Sequence, residues 1–181
     1  DMTFLARQFP DIIDQVTTSV SKSGFAVTYK KKHFSDMYLN GTFPAQADMN
    51  HIQVLSGRFI NNLDIAQKRK VMVITHLLAK NLLEGGTDYQ TLIGKKIKVG
   101  NLIFTIIGVR HAYENRNDRE LYIPYTTARS IFGMTNDLDL IAFTFNGLET
   151  EAENEAFELR LKKILNTRHS AAPEDESAYY I

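Results

Sequence analysis

The longest apolar run of the chain, Leu102-Ile-Phe-Thr-Ile-Ile-Gly-Val109, is interrupted only by Thr105 and Gly108. It falls far short of the roughly 18–20 apolar residues needed to span a bilayer, so it is a buried strand. Successive side chains of a strand point to opposite faces, and this one is apolar on both. It therefore has to be covered on both sides. Ile97 and Val99, alternating with Lys96 and Lys98, form the strand before it, and Gly100-Asn101 is a two-residue hairpin turn between the two. With 181 residues, 44% of them hydrophobic, the chain can build the core that such a strand demands.

The rest of the pattern is mixed. Thr3 to Phe9 is a short amphipathic stretch that Pro10 ends, and Ile12, Ile13 and Val16 start a strand that runs into Thr17–Ser23. Gly24 marks a turn, after which Phe25, Val27 and Tyr29 alternate with polar residues. Met37–Leu39 with Thr42-Phe43 is the next strand, and Ala47–Ile52 a short helix. Val71–Ile74 is an apolar strand feeding a helix over Thr75–Leu83, which Gly85-Gly86 can terminate with a left-handed residue. Leu121–Ile123 is a strand ended by Pro124, and Thr126–Phe132 a helix closed by Gly133. Leu138–Phe145 is apolar at nearly every position, which predicts a central strand. Glu151–Thr167 carries Phe157, Leu161, Ile164 and Leu165 on one stripe, with acidic residues at its start and basic ones at its end, as a helix dipole favours.

Composition removes several chemistries. Lys+Arg and Asp+Glu balance at 21 each, which argues against a nucleic-acid surface. Without cysteine there is no disulfide, no Cys-rich zinc site and no thiol nucleophile. Gly94-Lys95-Lys96 lacks both the glycine five positions earlier, where Tyr89 stands, and the Ser/Thr that a phosphate loop needs, so it reads as a turn. His33 with Asp36, and His111 with Glu114, have the local spacing of metal ligands but no third partner nearby, and read as solvated turns. Ser56 has Val54 and Arg58 where a nucleophile elbow needs glycines, and Ser130 lies within a helical pattern. Asn115–Glu120 is a dense charged cluster, expected to be a solvated hairpin loop; a partner-binding tip has the same composition. Asn40-Gly-Thr42 matches a glycosylation sequon and reads as a β-turn. Tyr179-Tyr180 suits an aromatic belt at a bilayer surface, or an edge strand. No catalytic, cofactor-binding or metal-binding residue is assigned, and no cofactor is expected.

The order of several motifs resembles the extracytoplasmic domain of MacB/FtsX-like ABC transporter permeases. These are Val54-Leu-Ser-Gly-Arg-Phe59, Val71–Ile74 with Leu77–Lys80, Ile93-Gly-Lys-Lys-Ile97, Phe104-Thr-Ile-Ile-Gly-Val109 and Leu121-Tyr-Ile-Pro-Tyr125. Arg168-His169 and acidic Glu174–Glu176 before the aromatic end are similar to that family's approach to its second membrane helix. The resemblance implies an α+β fold with a βαβ-rich porter subdomain, here 1–68 plus 135–181, and an inserted, mostly-β sabre subdomain, here 69–134. It further implies a non-catalytic domain on the periplasmic side of the inner membrane, tethered at both ends between the first and second of four membrane helices. Such a domain couples cytoplasmic ATP hydrolysis to export, lipoprotein handling or transmembrane signalling. Its expected partners are an ABC ATPase domain or subunit, a second permease copy or paralogue, and a periplasmic protein. The ends of the chain look cut and should emerge on the same side. The alternative is a free-standing α+β domain that binds or converts a small molecule.

Overall fold

A computed structural model describes residues 2–112, 118–134 and 140–172. Helix α1 (Met2–Gln8) opens the chain and is followed by a 17-residue strand, β1 (Ile13–Tyr29). Then come β2 (Lys32–Thr42), α2 (Ala45–Met49), β3 (Val54–Gly57) and α3 (Asn62–Ala66). The middle holds β4 (Val71–Thr75), α4 (His76–Leu82), a 3-10 turn at Tyr89–Leu92, β5 (Lys96–Val99) and β6 (Leu102–Arg110). After it lie β7 (Glu120–Pro124), α5 (Tyr125–Phe132), β8 (Leu140–Phe145) and α6 (Glu151–Arg168).

All eight strands belong to one sheet in the order β2-β7-β4-β6-β5-β1-β8, with β3 paired to β6. Because β1 also pairs with β2, the pairings of β1, β2, β7, β4, β6 and β5 close into a ring. The long β1 is the common member. Its first half, from Ile13 to Ser19, pairs with β8, while Ser19–Tyr29 pairs with β2.

Two main cores follow from this layout. The larger contains Val20, Val27, Leu39, Met72, Ile74, Leu78, Ile97, Phe104, Ile106, Leu121 and Ala128 among others. The smaller gathers Leu5 and Phe9 from the first helix and its exit, Ile13 of β1, and Phe157, Leu161 and Leu165 of the last helix. Residues Val20 to Leu39 thus share a core with residues 72–128. The cores divide the chain within β1 and not between residues 68 and 69.

Local chemistry explains most elements. The apolar stripe of α6 faces the smaller core, and Thr150 and Glu153 cap its start reciprocally. Thr75 accepts from Leu78 N at 3.2 Å, turning β4 directly into α4. Gly100-Asn101 is the turn expected, since Val99 and Leu102 are paired residues.

Three expectations change. Gly24 (φ 83°) is not a turn between strands: β1 continues through it, and the register shifts between Lys22 and Phe25 make it part of a bulge. Asn40-Gly-Thr42 is no turn either but lies in β2, with Asn40 paired to Ser21 on one side and Tyr122 on the other. The strand at 140–145 pairs only with β1, at the end of the sheet order, and Leu140 (56% exposed) and Phe145 (45%) face solvent. Its two apolar faces misled: Ile141 and Phe143 pack into the smaller core, whereas the apolar residues of the other face lie at an open edge. The strand over 102–109 is likewise covered on both faces only in its second half, because Ile103 is 56% exposed.

β3 and β6 are drawn together at two glycines, Gly57 and Gly108, which are register partners. A Cβ on Gly108 would lie 2.2 Å from the Arg58 carbonyl oxygen, and one on Gly57, at φ 74°, 2.2 Å from that of Ile107. Only glycine permits that approach. Gly108→Val is accordingly expected to destabilise the fold by about 3 kcal/mol through forced backbone displacement, read as a lower urea midpoint. A soluble mutant with unchanged melting would contradict this.

Candidate functional site

The parallel strands β4 and β6, and beside them β2 with β7, carry most of the ionisable side chains that the fold buries. Two clusters form, one at each side of β3.

The first grows from β6. Arg110, its last residue, is fully buried, and its Nη2 donates to Asp118 Oδ1 at 2.8 Å while its Nη1 lies 2.8 Å from Oδ2. A second bond runs from Nη1 to the His111 carbonyl at 3.0 Å. Its guanidinium stands 4.7 Å from the centre of the Tyr122 ring, whose hydroxyl donates to Glu120 at 3.0 Å. Burying a charged pair is tolerable only when its remaining groups are hydrogen-bonded, and these contacts supply that condition. The expected solvated hairpin loop at Asn115–Glu120 is corrected on two points. Asp118 is buried against Arg110, and Glu120 already belongs to β7, which pairs with β2 and β4 and not with β6. Asn115, Arg116 and Asn117 lie outside the described residues.

Next to this pair, the rings of His76 and His111 stack with centres 4.7 Å apart and planes inclined by 26°. Ala112 N donates to His76 Nδ1 at 2.9 Å, which places the proton of the neutral ring on Nε2. Burial pushes the His76 pKa below its ordinary value; the positive charges of His111, Arg110 and Lys80 push the same way, against the opposing charge of Asp118.

The second cluster is the Arg58 latch. Arg58 donates from both terminal nitrogens to the two oxygens of Asp64, at 2.5 and 3.0 Å, and Asp64 is completely buried. Asp64 also accepts from Asn61 N at 3.0 Å, and its own N donates to the Asn61 side chain, a capping box at the start of α3. Arg69 stands 3.6 Å away. Burial alone would raise the Asp64 carboxyl, but the Arg58 bonds, the Asn61 N–H and the charges of Arg58 and Arg69 outweigh it and hold the group below the ordinary carboxylate range.

The residues singled out from sequence are dispersed. His33 Nδ1 is 3.1 Å from Thr28 Oγ1 across the β1–β2 hairpin, and Asp36 faces Arg119 at 3.8 Å. Both line a groove of 390 Å³ beside α4, with Asp118 and Arg119 in its wall. Neither sits in a turn; both belong to β2. His111 stacks on His76, while Glu114 lies outside the described residues. Among the described residues no group of three or more His, Asp or Glu side chains is placed to hold a metal ion. Ser56 donates to Gln90 and Ser130 to the Thr126 carbonyl, so both serve local structure. Gly94 N donates to the Ile106 carbonyl at 2.8 Å, where the turn enters β5. Tyr179 and Tyr180 lie outside the described residues.

With this geometry in place, the comparisons with known proteins agree. The family model described as the MacB-like periplasmic core domain matches residues 1–163. The chain belongs to that family. A macrolide export ATP-binding/permease protein MacB from Rhodospirillum rubrum is 28% identical over 136 residues, 72% of this chain. The chain spans 20% of that relative's length. The periplasmic region of MacB from Actinobacillus actinomycetemcomitans superposes with a TM-score of 0.76 at 21% identity, over 94% of this chain and 73% of that one. The extracellular domain of the ABC-type transporter YknZ from Gram-positive bacteria gives a TM-score of 0.70 at 24% identity, over 89% and 79%. These likenesses establish the mixed helix-and-sheet fold expected from sequence. They also give the family motifs a structural meaning, since Gly57-Arg58 and Ile106-Ile-Gly108 are the two backbones that meet between β3 and β6.

Two outcomes are expected. Asp64→Asn should cost about 2–3 kcal/mol at neutral pH, less than for a fully buried pair because Arg58 is 41% exposed. The folded Asp64 carboxyl lies below its ordinary value of 3.8, so its contribution holds above that pH and is lost as pH falls through the folded value. The gap between wild type and mutant in denaturant melts should therefore close in acid. For His76 the sign reverses the favoured form: the unfolded chain binds the proton more readily, so stability falls as pH drops below about 6.5. His76→Asn, which keeps an acceptor for Ala112 N, should flatten that part of the pH profile.

Proposed function

We propose that this domain is the periplasmic part of an ABC transporter permease, held in the inner membrane at both ends, between the first and second of four membrane helices. It carries no catalytic group and passes motion driven by a cytoplasmic ATPase outward, to power export, lipoprotein handling or signalling. Its further partners are a second permease copy or paralogue and a periplasmic protein.

The observation that carries this reading is the two-core construction. The first and last helices share one core, and Arg168 near the end of α6 stands 4.3 Å over the Phe4 ring of α1. The rest of the chain packs around a separate core, and the 17-residue β1 runs through both. A displacement applied where α1 and α6 meet is thus delivered along one continuous strand to the far ring, because packed cores move as units and do not deform smoothly. Residues Asp1 and Ile181 lie outside the described residues. In this proposal the porter-like part is α1, the first half of β1, β8 and α6. The sabre-like part is the ring, with the division inside β1 in place of the 68/69 boundary.

The test uses the full-length permease with its ATPase in lipid vesicles. The chain has no cysteine of its own, so Asn101→Cys at the exposed β5–β6 turn takes one spin label per copy. ATP trapping should shift the label–label distance between the two permease copies beyond the width of its distribution. An unchanged distance while ATP is hydrolysed would overturn the coupling role.

A further inference from the structure

We propose that a cleft between the first half of β1 and the 43–48 segment binds an amphiphile with a primary ammonium group. This does not rest on the transporter reading, since it follows from the cleft's own chemistry.

The cleft encloses 370 Å³, within the size range of small-molecule sites. Met2, Val16, Phe43 and Pro44 give it apolar walls, and Asp48 is the one charged residue among those that line it. Gln15 also lines it, and its Oε1 is shielded from solvent without a hydrogen-bond partner among the described residues. The backbone of Gln15 is already engaged, its N donating to Thr144 Oγ1 at 3.2 Å. Two positions along, on the same side of the strand, Thr17 is 1% exposed and leaves its Oγ1 without a partner as well.

A buried acceptor left without a donor costs free energy, so native folds satisfy nearly all of them. Here the unmet acceptor opens onto a cavity, where a bound molecule can supply the donor. The carboxylate of Asp48 selects a cation, and no lining residue offers a positive charge to an anion. The apolar walls take a hydrocarbon body. A primary ammonium on an alkyl chain meets all three conditions, because it brings both the charge and N–H donors. A quaternary ammonium brings only the charge, and an alcohol brings only a donor.

The experiment is calorimetric titration of the 181-residue chain with decylammonium, decyltrimethylammonium and decanol, each kept monomeric. Decylammonium should bind one per chain, about tenfold tighter than either comparator, the worth of one hydrogen bond or one ion contact. Gln15→Leu should erase the preference over the trimethyl compound, and Asp48→Asn the preference over decanol. Asp48 is exposed on a short helix, so its variant folds even if Gln15→Leu does not. In that event Asp48→Asn and the comparators decide alone. Equal binding of all three probes, no binding at the solubility limit, or decylammonium binding unchanged in Asp48→Asn would overturn the proposal.

Discussion

The close approach of two backbones at Gly57 and Gly108 is the constraint on which the rest of this structure depends. It lets β3 sit against β6 while β6 pairs with β4 on its other edge and with β5 earlier along the same edge. The strand at the centre of the ring is thereby held from three directions. A side chain at either glycine would meet a carbonyl oxygen at a distance no Cβ adopts. The contact also fixes Arg58, the next residue, whose N donates to the Ile107 carbonyl at 2.9 Å. From there the guanidinium reaches back to Asp64 and closes the 58–64 segment over α3. One backbone contact therefore sets both a sheet register and a helix start.

The charged groups of the fold serve this architecture. Arg58 and Asp64 tie β3 to α3, and Arg110 with Asp118 ties the end of β6 to the entry of β7. Both pairs bridge segments that the sheet hydrogen bonds leave to loops, where irregular backbone most needs side-chain partners. The stacked His76 and His111 lie at the same end of the strands, which gives this end of the ring a sensitivity to pH that the apolar core lacks.

Much of the fold was legible because periodicity reports burial directly. The stripe on α6, the β4-to-α4 unit capped by Thr75 and the Gly100-Asn101 hairpin all follow from local pattern. What the pattern hides is which neighbour covers a face. Leu140–Phe145 is apolar on both sides yet sits at a sheet edge, and a run of residues cannot say how many strands flank it. Gly24 and Asn40-Gly-Thr42 carried turn composition into the middle of strands, where tertiary pairing overrode it. Of the clusters, the Asn61-x-x-Asp64 capping box was readable from spacing and was missed. The Arg110–Asp118 pair was hidden inside a charged stretch that looked like solvent-facing loop, since burial of a charge depends on a partner that only the fold supplies.

Membership of the MacB-like periplasmic core domain family places this chain within a larger assembly, and the central claim concerns its setting there. The most direct measurement is the sequence of the parent reading frame on both sides of the segment, read for hydropathy. The account predicts one membrane-spanning stretch before residue 1 and three after residue 181, with an ATPase fused to the frame or supplied as a separate subunit. A frame with no spanning stretch on either side would contradict it and leave a free-standing domain.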